Sequence, residues 1–335
     1  MTSTPPPAPG VSVFLAVRDE AGHLAEVVER IFAQDYPGPL EVVMAVGPSA
    51  DATAAQALQL QGRFEALTVV ANPSGRTPVG LNLAWRACRH DYLVRVDGHS
   101  LLPPGYLKRV VELLEQTGAA NVGGMMAPQG EAPFQQAVAR AMSSPWGIGA
   151  ASFHTGGQGG PAKTVYLGSY RRAALEAVGG FNEAFSRAQD WELNHRLIAA
   201  GQLVWFDPGL AVVYRPRSTW PALARQFYHT GRWRWHVIKR YPSTASARYL
   251  APPAATLAVG LGLVCGLAGL GRRSGRLAGA LAVPGLYAAG VALAARSAAG
   301  GLDRRARRLL PGVIATMHLA WGAGFLRALP DRWSG

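Results

Sequence analysis

The sequence predicts an α/β fold: a mostly parallel sheet covered by helices, followed by a C-terminal helical transmembrane region. Three observations predict it. Short β-branched apolar runs alternate with stretches of helical period, no long hairpins separate those runs, and the end of the chain holds three uncharged apolar spans.

Val11 to Val17 is a β-branched run, and in Glu20 to Gln34 the residues Leu24, Val27, Val28 and Ile31 recur at helical spacing. A strand therefore feeds a helix. The alternation continues with Leu40 to Val46 as strand, Ala52 to Gln61 as helix, Leu67 to Ala71 as strand, Pro78 to Cys88 as helix and Tyr92 to Val96 as strand. Ligands of open α/β sheets sit beyond the carboxyl ends of the strands, so the segments 18–20, 47–51, 72–76 and 97–99 should line one crevice. After Gly123-Gly124 the pattern loosens. Gly147 to Gly160 reads as a substrate loop, with a short helix from Arg172 and a stronger one from Asp190 to Ala200. Thr219 to Tyr241 interleaves Trp220, Phe227, Tyr228, Trp233 and Trp235 with Arg225, Arg232, Arg234, Lys239 and Arg240, which suits a helix at headgroup level.

The spans follow. Tyr249 to Gly271 has 23 residues without a charge, Leu277 to Ala295 has 19, and Leu309 to Leu326 has 18 with only His318 interrupting. Each approaches the ~20 residues that cross a bilayer. Three full crossings, the first two as a hairpin, are the expectation. They would put Arg272, Arg273 and Arg276 outside, the arginines of 296–308 inside and the C-terminus outside. A third segment lying in the interface would leave that end inside.

Composition agrees. Charged residues make up 16% and hydrophobic ones 49% of 335 residues, which fits neither a disordered chain nor an ordinary water-soluble enzyme. The net charge of +13 is uneven: residues 241–335 hold 11 Arg against 2 Asp, a net +9. These arginines flank apolar spans, where they meet anionic headgroups at roughly 1 kcal/mol each, so membrane lipids are expected as partners and no nucleic acid is. Cys88 and Cys265 are the only cysteines and exclude a disulfide framework. Met1 to Gly10 is Pro-rich without an apolar h-region, so a multi-pass cell-membrane protein with its first 240 residues in the cytoplasm is expected.

Three constellations could carry chemistry. Asp97-Gly98-His99, at a strand's end, can bind a divalent ion that completes its shell with a diphosphate and water; a turn in which Asp97 bonds its own backbone is the alternative. Asp190 sits where a helix should begin, as a general base facing the crevice or as a plain N-cap, with Trp191 beside it as a platform for a sugar face. Arg225 to Trp233 forms the third, whose alternative is the interfacial helix alone.

Taken in order, these motifs resemble the family 2 glycosyltransferases of the GT-A, Rossmann-like fold, and within them the succinoglycan-type, membrane-associated glucosyltransferases. The resemblance covers about residues 10–240. It implies a GT-A domain over 10–218, an interfacial amphipathic helix over 219–248 and a membrane region of two to three helices over 249–335. It places Asp19 and Glu20 near the nucleotide base, Asp51 at the base edge, and Arg76 in a segment similar to Asn-x-x-Gly-Lys, followed by Asn82, at the diphosphate side of the donor. Asp97 and His99 correspond to the DxD metal motif with Mg²⁺ or Mn²⁺. Gln189-Asp190 resembles the Glu-Asp motif that holds the catalytic base. Gln226 with Arg232-Trp233 is similar to a stretched Gln-x-x-Arg-Trp motif that closes over diphosphate and acceptor.

The implied reaction is inverting transfer from a nucleotide diphosphate sugar, expected to be a UDP-hexose, to a lipid-linked acceptor at the cytoplasmic face, in polysaccharide or glycolipid synthesis. A polyprenyl phosphate acceptor is the alternative; its ionised oxygen needs little base catalysis. Of other classes, a nucleotidyltransferase would open with a Gly-rich basic loop, which Phe14 to Glu20 is not, and an inactive membrane scaffold is motivated by Gly47 and Gln189 standing where acidic residues are usual.

Overall fold

The computed structural model describes residues 7–148 and 151–331. The Pro-rich start up to residue 6 and two positions of the Gly147–Gly160 stretch lie outside the described residues. In chain order the elements are β1 (Val11–Val17), α1 (Leu24–Phe32), β2 (Leu40–Val46), α2 (Thr53–Arg63), β3 (Leu67–Ala71), α3 (Thr77–Ala87), β4 (Tyr92–Arg95), α4 (Tyr106–Thr117) and β5 (Asn121–Pro128). Next come α5 (Pro133–Met142), α6 (Pro145–Ile148), α7 (Ser152–Thr155), β6 (Gly160–Pro161), β7 (Tyr166–Arg171), α8 (Arg172–Ala177), α9 (Gln189–Ala199) and β8 (Val204–Tyr214). The chain continues through α10 (Trp220–Arg240), α11 (Ala247–Gly271), α12 (Gly275–Ala278), α13 (Ala282–Ala298) and α14 (Arg304–Ala328).

The chain divides into two units. The first runs to Ala127 and resumes over Gly156–Tyr214; the second is Pro128–Thr155 with the chain from Arg215 onward. The segment carrying α5 to α7 is thus contributed to the second unit from within the sequence of the first.

In the first unit an eight-stranded sheet has the order β3-β2-β1-β4-β7-β5-β8-β6. β3, β2, β1 and β4 run parallel, joined by the predicted helices. Beyond β4 the sheet is mixed: β7 pairs antiparallel with β4 and with β5, and β6 pairs antiparallel with β8. The expectation of a mostly parallel sheet therefore holds for one half and is corrected for the other. The reason is visible at Gly123 and Gly124, where the sequence pattern loosens. A Cβ on Gly124 would sit 1.8 Å from the Leu210 carbonyl oxygen, and one on Gly123 2.6 Å from Val165, so these positions of a bulged strand accept no side chain. Glycine there marks a tightly packed strand, although it erases the strand's signature.

On one face of the sheet Leu24, Val27, Val28 and Ile31 of α1 are fully buried against Val13, Leu15, Val94 and Val96, as their helical spacing requires. On the other face Phe14, Tyr170 and Phe181 cluster with ring centroids 6.1 to 6.4 Å apart. That aromatic cluster borders the end of β4.

In the second unit α10 and α14 pack together, with α5 and α11 also against α14. α11, the helix spanning Gly275–Ala298 and α14 are each long and apolar enough to cross a membrane, with mean hydropathies of 1.9, 1.8 and 1.5.

Candidate active site

Strand β4 ends on Arg95, whose side chain is only 4% exposed and lies 6.0 Å from the Phe181 ring centroid. A buried cation needs anionic partners, and Arg95 has two. Its Nη2 donates to Asp97 Oδ1 at 2.7 Å, and its Nη1 donates to Asp190 Oδ1. Burial works against the charge, but Asp97 outweighs it and raises the Arg95 pKa above the ordinary arginine value. One planar guanidinium thus joins the carboxylates expected to hold a metal and to act as base. The sequence signal for Arg95 is an arginine within an otherwise apolar strand.

Asp97-Gly98-His99 does form a turn, closed by Ser100 N–H on the Asp97 carbonyl at 3.0 Å, yet the Asp97 carboxylate points to Arg95. A Cβ on Gly98 would approach Glu20 Cγ and Val17 Cγ1 to 3.0 Å each, so glycine admits Glu20 to the site. The Glu20 carboxylate then accepts from His99 Nδ1 at 2.7 Å. A carboxylate against Nδ1 fixes the orientation of the imidazole ring. Among the described residues no three His, Cys, Asp or Glu side chains gather into a metal cluster. Asp97 and His99 offer two donors from one turn, too few to fill the shell of a divalent ion by themselves.

Asp190 is not the cap of its helix. That place belongs to Ala188, in the left-handed region at φ 59°, and no side-chain cap bond forms. A non-glycine residue there is strained by roughly 1–2 kcal/mol. Behind it Glu192, fully buried, is held by Arg196 at 2.8 Å, and Asn194 accepts from Asn121 at 2.6 Å; these contacts fix the inner face of α9. Trp191 stacks on His195 one turn later, centroids 5.3 Å apart and planes 9° from parallel.

The loops after β1 and β2 are laced together. Asp19, left-handed at φ 56°, accepts from Ala50 N–H at 2.7 Å, while Ala21 N–H donates to Asp51 at 3.0 Å. Asp51 also accepts from the Thr53 hydroxyl and N–H, and these bonds hold its carboxyl below the usual range. The loop after β3 joins them through glycine: Gly75 is left-handed at φ 62°, and a Cβ on Gly47 would lie 3.1 Å from Gly75 Cα. Arg76 donates to the Glu183 carbonyl.

Asn82, expected beside the donor, is bonded within the protein. It is buried, donates to the Phe181 carbonyl at 2.8 Å and Glu183 Oε1 at 3.0 Å, and accepts from Phe181 N–H at 2.9 Å and Trp85 Nε1 at 3.1 Å. An amide with two donor hydrogens and two lone pairs is then saturated, so Asn82 braces the 181–183 turn.

Gln226, Arg232 and Trp233 belong to α10 of the second unit. There Gln226 accepts from Arg217 at 3.2 Å, Arg232 pairs with Asp331 at 2.9 Å, and Trp233 meets His236 edge-on at 5.4 Å.

Comparison with known proteins finds likeness in sequence and in fold. A family profile described as "Glycosyltransferase like family 2" matches residues 7–235. The chain is 32% identical over 318 residues to the succinoglycan biosynthesis protein ExoA of Rhizobium meliloti (strain 1021), covering 93% of each chain. It is 24% identical over 239 residues to the dolichyl N-acetyl-alpha-D-glucosaminyl phosphate 3-beta-D-2,3-diacetamido-2,3-dideoxy-beta-D-glucuronosyltransferase of Methanococcus voltae, covering 69% of this chain and 74% of that protein. Among solved structures, the mannosyltransferase PcManGT of Pyrobaculum calidifontis, in complex with GDP-Man and Mn²⁺, superposes with a TM-score of 0.60 at 21% identity, covering 97% of this chain and 88% of that one.

Proposed function

The chain belongs to glycosyltransferase family 2, and from that premise we propose that it moves a hexose from a nucleoside diphosphate sugar, UDP-hexose first, to a lipid-linked acceptor at the membrane face, with inversion. The observation that carries this reading is the Arg95 bridge, which ties the donor side of the site, Asp97, to the acceptor side, Asp190.

Asp97 and His99 would hold Mg²⁺ or Mn²⁺, with Glu20 orienting the imidazole, and a bound ion supplies Lewis-acid neutralisation of the leaving diphosphate. Arg76 adds positive charge at the same end. Asp19 and Asp51 shape the nucleotide pocket by stitching its two loops together. Asp190 takes the proton of the acceptor hydroxyl, a role worth ~10²- to 10⁴-fold in rate. One base opposite one leaving group inverts the anomeric carbon, so an α-linked donor gives a β-linkage. Trp191 offers an apolar face to a sugar ring, and Gln226 and Trp233 act on the diphosphate or acceptor. The GT-A domain, the interfacial α10 and the apolar helical region divide this work between chemistry and membrane attachment.

The salt bridge to Arg95 favours a second acceptor reading. A carboxylate already bound to a guanidinium is a weaker base, and a polyprenyl phosphate oxygen needs no deprotonation. One assay tests both: nucleoside diphosphate release by purified protein against a panel of nucleotide sugars, with a membrane lipid extract or with polyprenyl phosphate. Lipid-dependent release supports glycosyl transfer, and the acceptor that stimulates it selects the reading; no release with any pair overturns it.

A further inference from the structure

The three long apolar helices meet their surroundings differently. On α11, Leu257, Leu261, Val264 and Leu267 are exposed, and on α13 so are Leu286 and Leu293. Such rows are what hydrocarbon covers. α14 shows no exposed large apolar side chain along its length. Its Leu310, Val313, Ile314, Met317 and Phe325 are buried at three- and four-residue spacing, and 39% of its most apolar window is covered, against 17% and 6% for the other two.

The helix packed most closely along α14 carries many charges. Its neighbours include α5 and α10, and α10 carries Arg225, Arg232, Arg234, Lys239 and Arg240, each costing about 2.5–3.5 kcal/mol at a bilayer centre. α10 therefore lies outside the hydrocarbon, and α14 follows it in parallel. Trp220 meets Gly312; further along, Gly324 lies so close to Tyr228 that a Cβ would come within 1.9 Å of its carbonyl oxygen; beyond the helix end Asp331 pairs with Arg232 at 2.9 Å and accepts from Lys239 at 2.9 Å. A 25-residue helix crossing the bilayer would carry its end about 37 Å away from where it entered. Instead Trp321 stacks on Tyr249, and Gly322 touches Pro252 and Thr256, all in the opening turns of α11. The end of α14 returns to the side from which α11 departs.

We infer that α14 does not cross the membrane: with α5 and α10 it forms a helical layer seated on an anionic lipid surface, and the chain crosses only twice, through α11 and α13. Residue 331 then lies on the same side as α10. The arginines at 304, 305, 307 and 308 join those of α10 at the headgroups, each adding electrostatic attraction there. This inference stands on packing and charge, independent of which sugar the enzyme moves.

Single cysteines in a Cys88→Ala, Cys265→Ala background test it, probed with a membrane-impermeant maleimide on intact cells and after permeabilisation. Ser243→Cys after α10 and Ser274→Cys between α11 and α12 report the two sides. Leu329→Cys should be protected or labelled together with Ser243→Cys and opposite to Ser274→Cys; Pro330→Cys serves where Leu329→Cys does not accumulate. Labelling of either end position in step with Ser274→Cys overturns the inference and restores three crossings.

Discussion

Replacing Arg95 probes the site at its most connected point. The guanidinium is 4% exposed, whereas the side chains of Asp97 and Asp190 are 26% and 29% exposed. Removing one partner of a buried ion pair costs about 3–5 kcal/mol; because both carboxylates reach water, Arg95→Met should cost about 2–3 kcal/mol. At about 2–4 °C per kcal/mol for a unit of this size, the Tm should fall by roughly 4–12 °C. Two carboxylates left without their shared cation repel and lose their fixed places, so turnover should fall as well. Arg95→Lys retains the charge but presents a point ammonium in place of a fork, so it recovers part of the stability and little of the turnover. Thermal unfolding in detergent and nucleoside diphosphate release measure both effects. If Arg95→Met melts like the parent and releases nucleoside diphosphate at the parent's rate, the bridge has no function and the reasoning is refuted.

The other predictions concern single groups. Asp97→Ala should abolish transfer and metal-dependent nucleotide binding, and His99→Asp should keep part of both because it restores an oxygen ligand; calorimetric titration with Mn²⁺ and UDP checks this, and parental binding by Asp97→Ala would sink the metal assignment. Asp190→Asn should leave donor binding nearly intact and lower turnover by at least ~10²-fold, whereas unchanged turnover would transfer the case to a phosphate acceptor. Glu41 is buried, which pushes its pKa up, but the Ser12 hydroxyl at 2.5 Å and the Arg89 N–H and guanidinium outweigh that and hold it low. A depressed carboxylate stabilises above its unfolded pKa of about 4.3 and loses that contribution as pH falls through the folded value. The parent's Tm should therefore drop more steeply below about pH 4 than that of Glu41→Gln, and parallel curves would remove Glu41 from the acid response.

The half of the sheet that was legible is the half in which each strand is followed by its own covering helix. There the period switches from a continuous apolar run to helical spacing, and β1 to β4 fall within a residue of expectation. The other half is built from pairings distant in sequence. β5 packs glycines against Leu210 and Val165, and β7 carries Ser169, Tyr170 and Arg171, so neither shows an apolar run or an alternation. α4 has an apolar face in Leu107, Val110, Val111 and Leu114 that sequence reading could have caught. The membrane helices were legible by length, yet what separates α14 from α11 is its partners, which no window of composition contains.

The motif departures are better understood as geometry than as decay. Gly47 stands where an acidic residue is usual, and its close approach to Gly75 shows why a side chain there would push the loops after β2 and β3 apart. The carboxylates of that crevice are supplied instead by Asp19 and Asp51, each spent on the backbone of the opposing loop. Gln189 stands where Glu is usual, next to Asp190, whose carboxylate shares one buried guanidinium with Asp97. Each departure thus lies near a residue the motif does not name: a glycine in one case, a buried arginine in the other. The arginine separates a catalytic site from a structural bridge by experiment, because in a purely structural bridge Arg95→Met would cost stability and leave the turnover of the remaining folded protein unchanged.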